Sequence, residues 1–283
     1  MFRGLVTFLG SAALAVPVVA GPPERVVSLG PSVTAILLEL GAGARLVGAD
    51  ERSLRMVPEI HGLPMVGGLF NPSLEAIVAL EPDLVALVPG AEQRSLQGRL
   101  EGLGIDVLAL PNTSFAELLG SIEVLGVRVG RPERARVRVA EIREAFRRVE
   151  TSGGAAERVR GVMVLQRDPL FVVGAGSFLD RMLAVAGVDN LAAEFDNPYP
   201  RVSAEWLIAA RPELILDASE GGEPARGYWA RWPSLPAVGT GGVVDVEAAA
   251  LTLPGPRPDA ALARLQALLD SHPAAAPGSG NSR

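Results

Sequence analysis

The sequence predicts an α/β protein of two similar three-layer lobes, each with a mainly parallel sheet, joined by one long backbone helix with a ligand cleft between the lobes. Three observations carry this. A phrase occurs twice: Pro72-Ser73-Leu74-Glu75-Ala76-Ile77-Val78-Ala79-Leu80-Glu81-Pro82-Asp83-Leu84-Val85 returns as Val202-Ser203-Ala204-Glu205-Trp206-Leu207-Ile208-Ala209-Ala210-Arg211-Pro212-Glu213-Leu214-Ile215. Both copies place Glu two residues after Ser, Pro seven after Glu, then an acid and aliphatics. Short aliphatic runs also alternate with helical segments in both halves, as in parallel sheets covered on both faces. Between the halves, the segment from Pro132 to Glu150 repeats apolar residues at helical spacing.

Taken in order, Arg25 to Leu29 reads as a strand, and Gly30-Pro31-Ser32 opens a helix over Val33 to Leu40 that Gly41 closes. Arg45 to Gly48 is a second strand. The first copy of the phrase follows, with Ser73 as N-cap, a helix to Leu80, Pro82 as breaker and Leu84 to Val88 as a buried strand. Leu103 to Leu108 continues the alternation. Ser114-Phe115-Ala116-Glu117 is a capping box, so a helix starts at Phe115 and runs to Val129, where Gly130-Arg131-Pro132 interrupts it. In the next helix Ala135, Val139, Ile142, Phe146 and Val149 form one apolar stripe. A helix of about 19 residues at 1.5 Å each is a rod of roughly 28 Å. Its arginines alternate with glutamates, which favours a solvated, salt-bridged face over an anion-binding one. Thr151-Ser152-Gly153-Gly154 ends the rod. Val159 to Leu165 and Phe171 to Val173 are strands, and Ser177 to Ala186 is a helix stopped by Gly187. The second copy supplies another helix and strand, Gly227 to Pro233 an aromatic surface loop, Val243 to Val246 a strand, and Asp259 to Leu269 the last helix.

The 283 residues suffice for two domains. We divide them into a leader (1–20), an N-terminal lobe (21–122), a linking helical region (123–153), a C-terminal lobe (154–272) and a disordered tail (273–283). The leader has Arg3, an uncharged run from Leu5 to Ala20 and a small-residue end at Val18-Val19-Ala20, the pattern of a secretory signal. Export through the membrane is expected. The net charge of −6, one unit more negative once Arg3 leaves, argues against nucleic acid as a partner. With no cysteine, thiol catalysis and thiolate metal sites are excluded.

Gly41-Ala42-Gly43 and Gly174-Ala175-Gly176 are incomplete as dinucleotide fingerprints and read as turns. The two histidines, His61 and His272, lie far apart, so neither a histidine metal site nor a Ser-His-Asp triad is supported. Glu75 and Glu205 each stand in the first turn of a helix, where the macrodipole alone favours an acid by about 0.3–1 kcal/mol. As a matched pair on two lobes they also suit docking to basic residues of a twofold-symmetric partner. Aromatic residues are only 5% of the chain. Phe70 precedes the first phrase, Tyr199 stands between two prolines before the second, and Phe171 ends a strand. Each sits where a cleft ligand would be gripped, with core filling as the rival account for the phenylalanines. Trp229 and Trp232 read as packing a long loop onto the second lobe.

These residues resemble a known family, the periplasmic substrate-binding proteins of ABC importers for cobalamin, haem and ferric siderophores. The marks are Arg25-Val26-Val27-Ser28-Leu29-Gly30-Pro31-Ser32, Val66-Gly67-Gly68-Leu69-Phe70-Asn71-Pro72-Ser73-Leu74-Glu75-Ala76-Ile77, Leu80-Glu81-Pro82-Asp83-Leu84-Val85, the copy at Val202-Ser203-Ala204-Glu205, and Pro254-Gly255-Pro256-Arg257. The resemblance covers about residues 25–270. It implies permease docking for Glu75 and Glu205, and ligand binding for Ser32, Arg52, Phe70, Asn71, Phe171 and Tyr199. It implies no catalytic residue, no resident metal and no cofactor, the metal chelate being cargo. The expected partners are that chelate and an inner-membrane ABC permease dimer, with the protein itself a periplasmic monomer.

The choice of chelate divides three ways. Cobalamin binders of the family often carry tryptophan where Tyr199 falls and another where Val88 and Pro89 stand. Haem binders present a Tyr or His to iron, a part Tyr199 is placed to take. Siderophore binders use arginines, for which Arg52, Arg167 and Arg201 are candidates. A flat corrinoid stacked on Tyr199 is the favoured reading, with haem or a ferric siderophore as alternatives. From other classes, the rivals are an exported α/β hydrolase-type enzyme using Asp168 and Asp196, and a scaffold with an empty cleft. The stiff rod predicts only modest lobe closure.

Overall fold

The computed structural model describes residues 21–152, 158–220 and 222–271. The leader, the Gly153-Gly154 stop, His272 and the tail lie outside the described residues.

The first half contains β1 (Val26–Leu29), α1 (Pro31–Glu39), β2 (Leu46–Ala49), α2 (Glu51–Met56), α3 (Leu74–Ala79), β3 (Leu84–Leu87), α4 (Ala91–Gly102), β4 (Asp106–Ala109) and α5 (Phe115–Arg128). Its four strands pair in the order β2-β1-β3-β4, all parallel. The linking helix is α6 (Pro132–Ser152). Beyond it come β5 (Val159–Arg167), β6 (Leu170–Val172), α7 (Phe178–Val185), β7 (Val188–Asn190), α8 (Ala204–Ala210), β8 (Leu214–Asp217), α9 (Ala225–Trp229), α10 (Pro236–Thr240), β9 (Val243–Asp245), α11 (Ala248–Leu251) and α12 (Pro258–Asp270). Here β7-β5-β8-β9 repeats the first lobe's parallel order, and β6 pairs antiparallel with the far end of the long β5.

Five elements escaped the sequence reading: α2, α4, β7, α10 and α11. Helix α2 is capped by Asp50, whose side chain accepts from the Ser53 amide, and the described side chains of α4 bury little beyond Gln93, Leu96 and Leu100. One expectation is corrected: the stretch from Gly227 to Pro233 is not a surface loop. It overlaps α9, and Trp229 is buried with its indole N–H donating to Asp217 at 2.6 Å. A hydrogen-bond acceptor for that N–H makes full burial of the ring affordable.

The doubled phrase folds twice in the same way. Ser73 accepts from the Ala76 amide and Ser203 from the Trp206 amide, capping α3 and α8. Each helix runs into a residue in the left-handed region, Glu81 at φ 45° and Arg211 at φ 52°. A following proline disfavours the right-handed helical region for these residues, so the chain turns sharply into the next strand. An arginine from the neighbouring strand then caps the helix carbonyls. Arg25 donates to Leu80 O at 2.6 Å and Arg160 to Ala210 O at 3.1 Å. These two arginines also occupy matching register, each one residue before the partner of Leu84 or Leu214.

Strand alternation sorts the core. Val26, Leu84 and Ala86 face inward, while Val27, Leu29, Val85 and Leu87 pack an outer layer with Ile77, Leu96 and Leu100. In the second lobe Leu214, Leu216 and Val244 face inward and Ile215 and Val243 outward. The two inward layers form one contiguous cluster. Ile122 and Leu125 of α5, Ala135, Val139, Ile142 and Phe146 of α6, Met182 and Leu183 of α7, and Leu262 and Leu265 of α12 all belong to it. Polar ties reinforce this seam. Arg138 of α6 donates to Pro256 O at 2.8 Å and pairs with Asp259, Arg257 pairs with Glu39 at 2.9 Å, and the Phe178 amide donates to Thr113 O at 2.8 Å. Elsewhere on α6 the arginines pair with Glu133 and Glu144 of the same helix, the salt-bridged face read from sequence.

A shared core predicts that the lobes unfold together. The chain's three tryptophans, Trp206, Trp229 and Trp232, all report on the second lobe. Their fluorescence and the far-UV circular dichroism should therefore follow one urea transition, and separate midpoints would contradict the seam. Phe146, buried against Phe115 at a centroid distance of 4.4 Å, is its centre. Phe146→Ala should lower stability by about 3–5 kcal/mol and move both signals equally.

Candidate ligand cleft

In both lobes the loops at the C-terminal ends of the parallel strands converge, where open α/β sheets hold their ligands. On the N-terminal lobe, β1 ends at Gly30, whose φ of 132° is poorly open to other residues and whose Cβ position would meet Val88 at 3.0 Å. The Gly30 amide donates to Asp50 at 2.7 Å, and the same buried carboxylate accepts from the Ser53 amide at 3.0 Å and from the Ser53 hydroxyl. Asp50 thus fixes the first loop and the start of α2, which carries Arg52. A second loop, between α2 and α3, folds back on itself through a bridge between Gly67 and Pro72. Buried Gln93 donates to Leu69 O at 2.9 Å and holds this loop. At its tip Phe70 stands 71% exposed, an unusual state for a ring on an anchored loop.

On the C-terminal lobe the corresponding anchor is Asp217, at the end of β8. Its carboxylate is fully buried and accepts from Arg167 Nε at 2.9 Å, Trp229 Nε1 at 2.6 Å, and the Ser219 amide and hydroxyl at 3.0 and 2.5 Å. Arg167 also donates to Glu223 O at 2.7 Å and lies 4.6 Å over the Tyr228 ring. A buried carboxylate so satisfied holds both its loop and its arginine.

Tyr199 is presented by a segment laid along the exposed side of β6. Gly174 and Val172 donate to Pro198 O and Pro200 O at 2.9 and 3.1 Å, and Val202 donates back to Leu170 O at 3.0 Å. The two prolines serve only as acceptors here, so their missing N–H groups cost nothing. The approach is close: a Cβ on Gly174 would lie 2.1 Å from Asn197 O. The Gly174 motif is therefore a close-packed turn. Burial, and secondarily the negative charge of Glu117, push the Tyr199 phenol up to about 12.

Between these walls lies a cleft of about 940 Å³, near the upper end for small-molecule sites. Of the six expected ligand residues, Arg52, Phe70 and Tyr199 line it. Ser32, Asn71 and Phe171 do not. Ser32 is buried and accepts from Asn112 at 2.7 Å, Asn71 is exposed beside Phe70, and Phe171 sits on the β6 edge bridged to Arg201. The β5–β6 hairpin turns its other arm inward, so Leu165, Gln166, Arg167 and Asp168 join the wall with Ser219, Glu220 and Thr252. Register across a hairpin decides this, and no local sequence signal announces it. Arg201 belongs instead to a smaller groove of about 270 Å³ beside α8, with Tyr228 and Trp232. Asp196 does not line the cleft, so the carboxylate pair of the enzyme reading is not assembled there. Among the described residues no group of three or more His, Asp or Glu is placed to hold a metal ion.

Glu75 and Glu205 are fully exposed at the starts of α3 and α8. Both carboxyls lie below the usual carboxylate range, each held there first by its own backbone amide and then by the hydroxyl of Ser73 or Ser203. The two acids thus have matching environments as well as matching sequence.

Residues 26–227 match the family described as periplasmic binding protein. The chain belongs to that family. It is 31% identical over 242 residues to a vitamin B12-binding protein of Salmonella paratyphi A, spanning 84% of this chain and 88% of the relative. Among solved structures it is similar to the periplasmic vitamin B12-binding protein BtuF of Vibrio cholerae, with a TM-score of 0.76, 26% identity, and 89% and 98% of the two chains covered. It is also similar to the periplasmic haem-binding protein RhuT of Roseiflexus sp. RS-1, at a TM-score of 0.73, 25% identity, and 89% and 99% coverage. As a periplasmic binding protein, the chain has the two-lobed α/β architecture and substrate-binding class expected from its sequence.

Two measurements probe this wall. Gly174→Ala should push the Tyr199 segment away from β6, lowering stability by roughly 1–3 kcal/mol and weakening ligand retention. In a Tyr228→Phe background the chain has a single tyrosine, so an ultraviolet pH titration should show phenolate appearing near pH 12 rather than 10. Because the folded value is raised, the contribution of the neutral, buried phenol is complete below about pH 10 and is lost as pH rises through 12. Ionisation at the ordinary tyrosine value would mean that the ring is not held in the cleft wall.

Proposed function

We propose that this periplasmic binding protein captures a flat metal chelate, a corrinoid of the cobalamin type, and delivers it to an ABC permease in the inner membrane. The observation that carries the reading is the pair of rings, Phe70 from one lobe and Tyr199 from the other, on a cleft of about 940 Å³. An exposed ring at a cleft mouth is suited to stacking on a planar ligand, and a half-buried one to fixing its height. The vitamin B12-binding relatives support the same choice. Haem is the second reading, favoured by the haem-binding structural neighbours and by a tyrosine in the cleft. Burial raises the pKa of that phenol, so ionising it for a tyrosinate–iron bond costs more than at an exposed tyrosine, whereas stacking does not require ionisation.

In this reading Glu75 and Glu205 dock on basic residues of a dimeric permease, one from each lobe, while a monomeric, exported protein presents the loaded cleft. Ligand contact falls to Arg52, Phe70 and Tyr199, while Ser32, Asn71 and Phe171 stand outside the cleft wall. Exposed first-turn acids that stay ionised well below neutral pH suit such docking, which would fail only as acidification protonates them. The protein makes and breaks no bond, needs no cofactor, and keeps its ligand intact.

Incubation with cyanocobalamin, hemin and a ferric siderophore, followed by desalting and an absorbance scan, should leave the corrinoid spectrum on the protein. Retention of hemin alone would shift the assignment to haem, and retention of none would remove the transport reading. Phe70→Ala should weaken corrinoid binding about tenfold or more, since it deletes an aromatic contact of roughly 2 kcal/mol. Reversal of both acids, E75K with E205K, should abolish permease-dependent uptake while the ligand dissociation constant stays within about twofold. Loss of affinity in that variant would place the acids in the cleft instead.

A further inference from the structure

The charges of the cleft do not balance in the way its residue types suggest. Two arginines, Arg52 and Arg167, and two acids, Asp168 and Glu220, line it. Arg167, however, is only 11% exposed and pairs through Nε with the fully buried Asp217, which contributes its negative charge from behind the wall. Its Nη1 donates to Glu223 O at 2.7 Å, and its guanidinium lies over Tyr228. Arg167 therefore enters the cleft as half of a neutral pair. That leaves Arg52, which makes no ion pair among the described residues, facing two exposed carboxylates from the opposite lobe. At Tyr199, where burial dominates, Glu117 at the start of α5 adds a smaller contribution of the same sign.

We propose that the cleft selects its cargo by charge, with Asp168 and Glu220 acting as specificity residues that admit neutral or cationic chelates and disfavour ligands carrying carboxylates. The inference rests on the corrinoid reading above and narrows it to amide-bearing or cationic corrinoids. Two exposed carboxylates on the wall repel a ligand carboxylate through solvent, and the pair is expected to weaken its binding by about five- to tenfold. Because both acids are exposed, the discrimination fades as salt shortens the Debye length below their distance from the ligand.

The probes are cyanocobalamin and its monocarboxylic derivative, in which one peripheral amide is hydrolysed to a carboxylate with little change of shape. Equilibrium dialysis against the full-length mature protein at low salt should show the acid binding about five- to tenfold more weakly than the amide. That ratio should fall toward one at high salt and in the D168N/E220Q double variant. The ratio normalises any change in overall affinity that the substitutions bring. Equal binding of acid and amide by the unaltered protein, or a ratio that the double variant leaves in place, would overturn the charge rule while leaving the corrinoid assignment intact. Failure to hold either corrinoid would instead overturn that assignment, and the charge rule with it.

Discussion

The cleft depends on the apolar seam that α6 drives between the lobes. Two sheets that shared only a flexible crossing would open and close at little cost, and every residue on one wall would have an uncertain distance to the other. Here the inward faces of both sheets and the stripes of α5, α6, α7 and α12 form one cluster. Separating the lobes would expose much of it. At about 25 cal/mol per Å² of apolar surface, even a modest opening of a few hundred Å² costs several kcal/mol. The polar ties at Arg138, Arg257 and Thr113 add direction to that cohesion, but the burial sets its scale.

On this fixed frame, each wall is positioned by a buried carboxylate rather than by hydrophobic contact. Asp50 and Asp217 each stand at or just beyond the end of a parallel strand, and each gathers the loops that shape the site. Burying an unsatisfied carboxylate costs far more than such a loop could recover. With its acceptors filled by backbone amides, hydroxyls, an indole and an arginine, the same group becomes a directional anchor. The symmetry of the lobes ends here. Asp50 is satisfied without a cation and leaves Arg52 free for the cleft, whereas Asp217 takes Arg167 for itself. A duplicated scaffold thus yields two walls of unlike charge.

Much of this was legible in the sequence because it repeats at short range. The caps at Ser73, Ser114, Ser177 and Ser203, the breakers Pro82 and Pro212, and the stripe of α6 act through neighbours a few residues away, and each appears where spacing places it. Helix α4 was missed because its buried positions are few among polar ones. Trp229 packs onto the second lobe as read, but the helix that carries it was missed because its burial is secured by an acceptor, Asp217, on another element. The cleft divided along the same line. Arg52, Phe70 and Tyr199 could be placed from the loops that carry them, while Gln166, Ser219, Glu220 and Thr252 reach it only through sheet register and the turn of the β5–β6 hairpin. Ser32 failed for a similar reason. Its hydroxyl is engaged by Asn112, a partner distant in sequence.

The division of labour between the two rings follows from how each is held. A phenylalanine ring offers on the order of 150–250 Å² for burial, and Phe70 leaves 71% of itself in water. Covering about 80 Å² of it at about 25 cal/mol per Å² is worth roughly 2 kcal/mol, or more than tenfold in affinity. Tyr199 has already spent much of its surface against the core and gains less when a ligand arrives. What it supplies is position, since its segment is bonded along β6 and closely seated on Gly174. An anchored loop with an exposed ring loses little conformational freedom on binding, so most of that gain is retained. A frame restrained by its buried seam is then no handicap to capture, because the surface to be buried is already displayed.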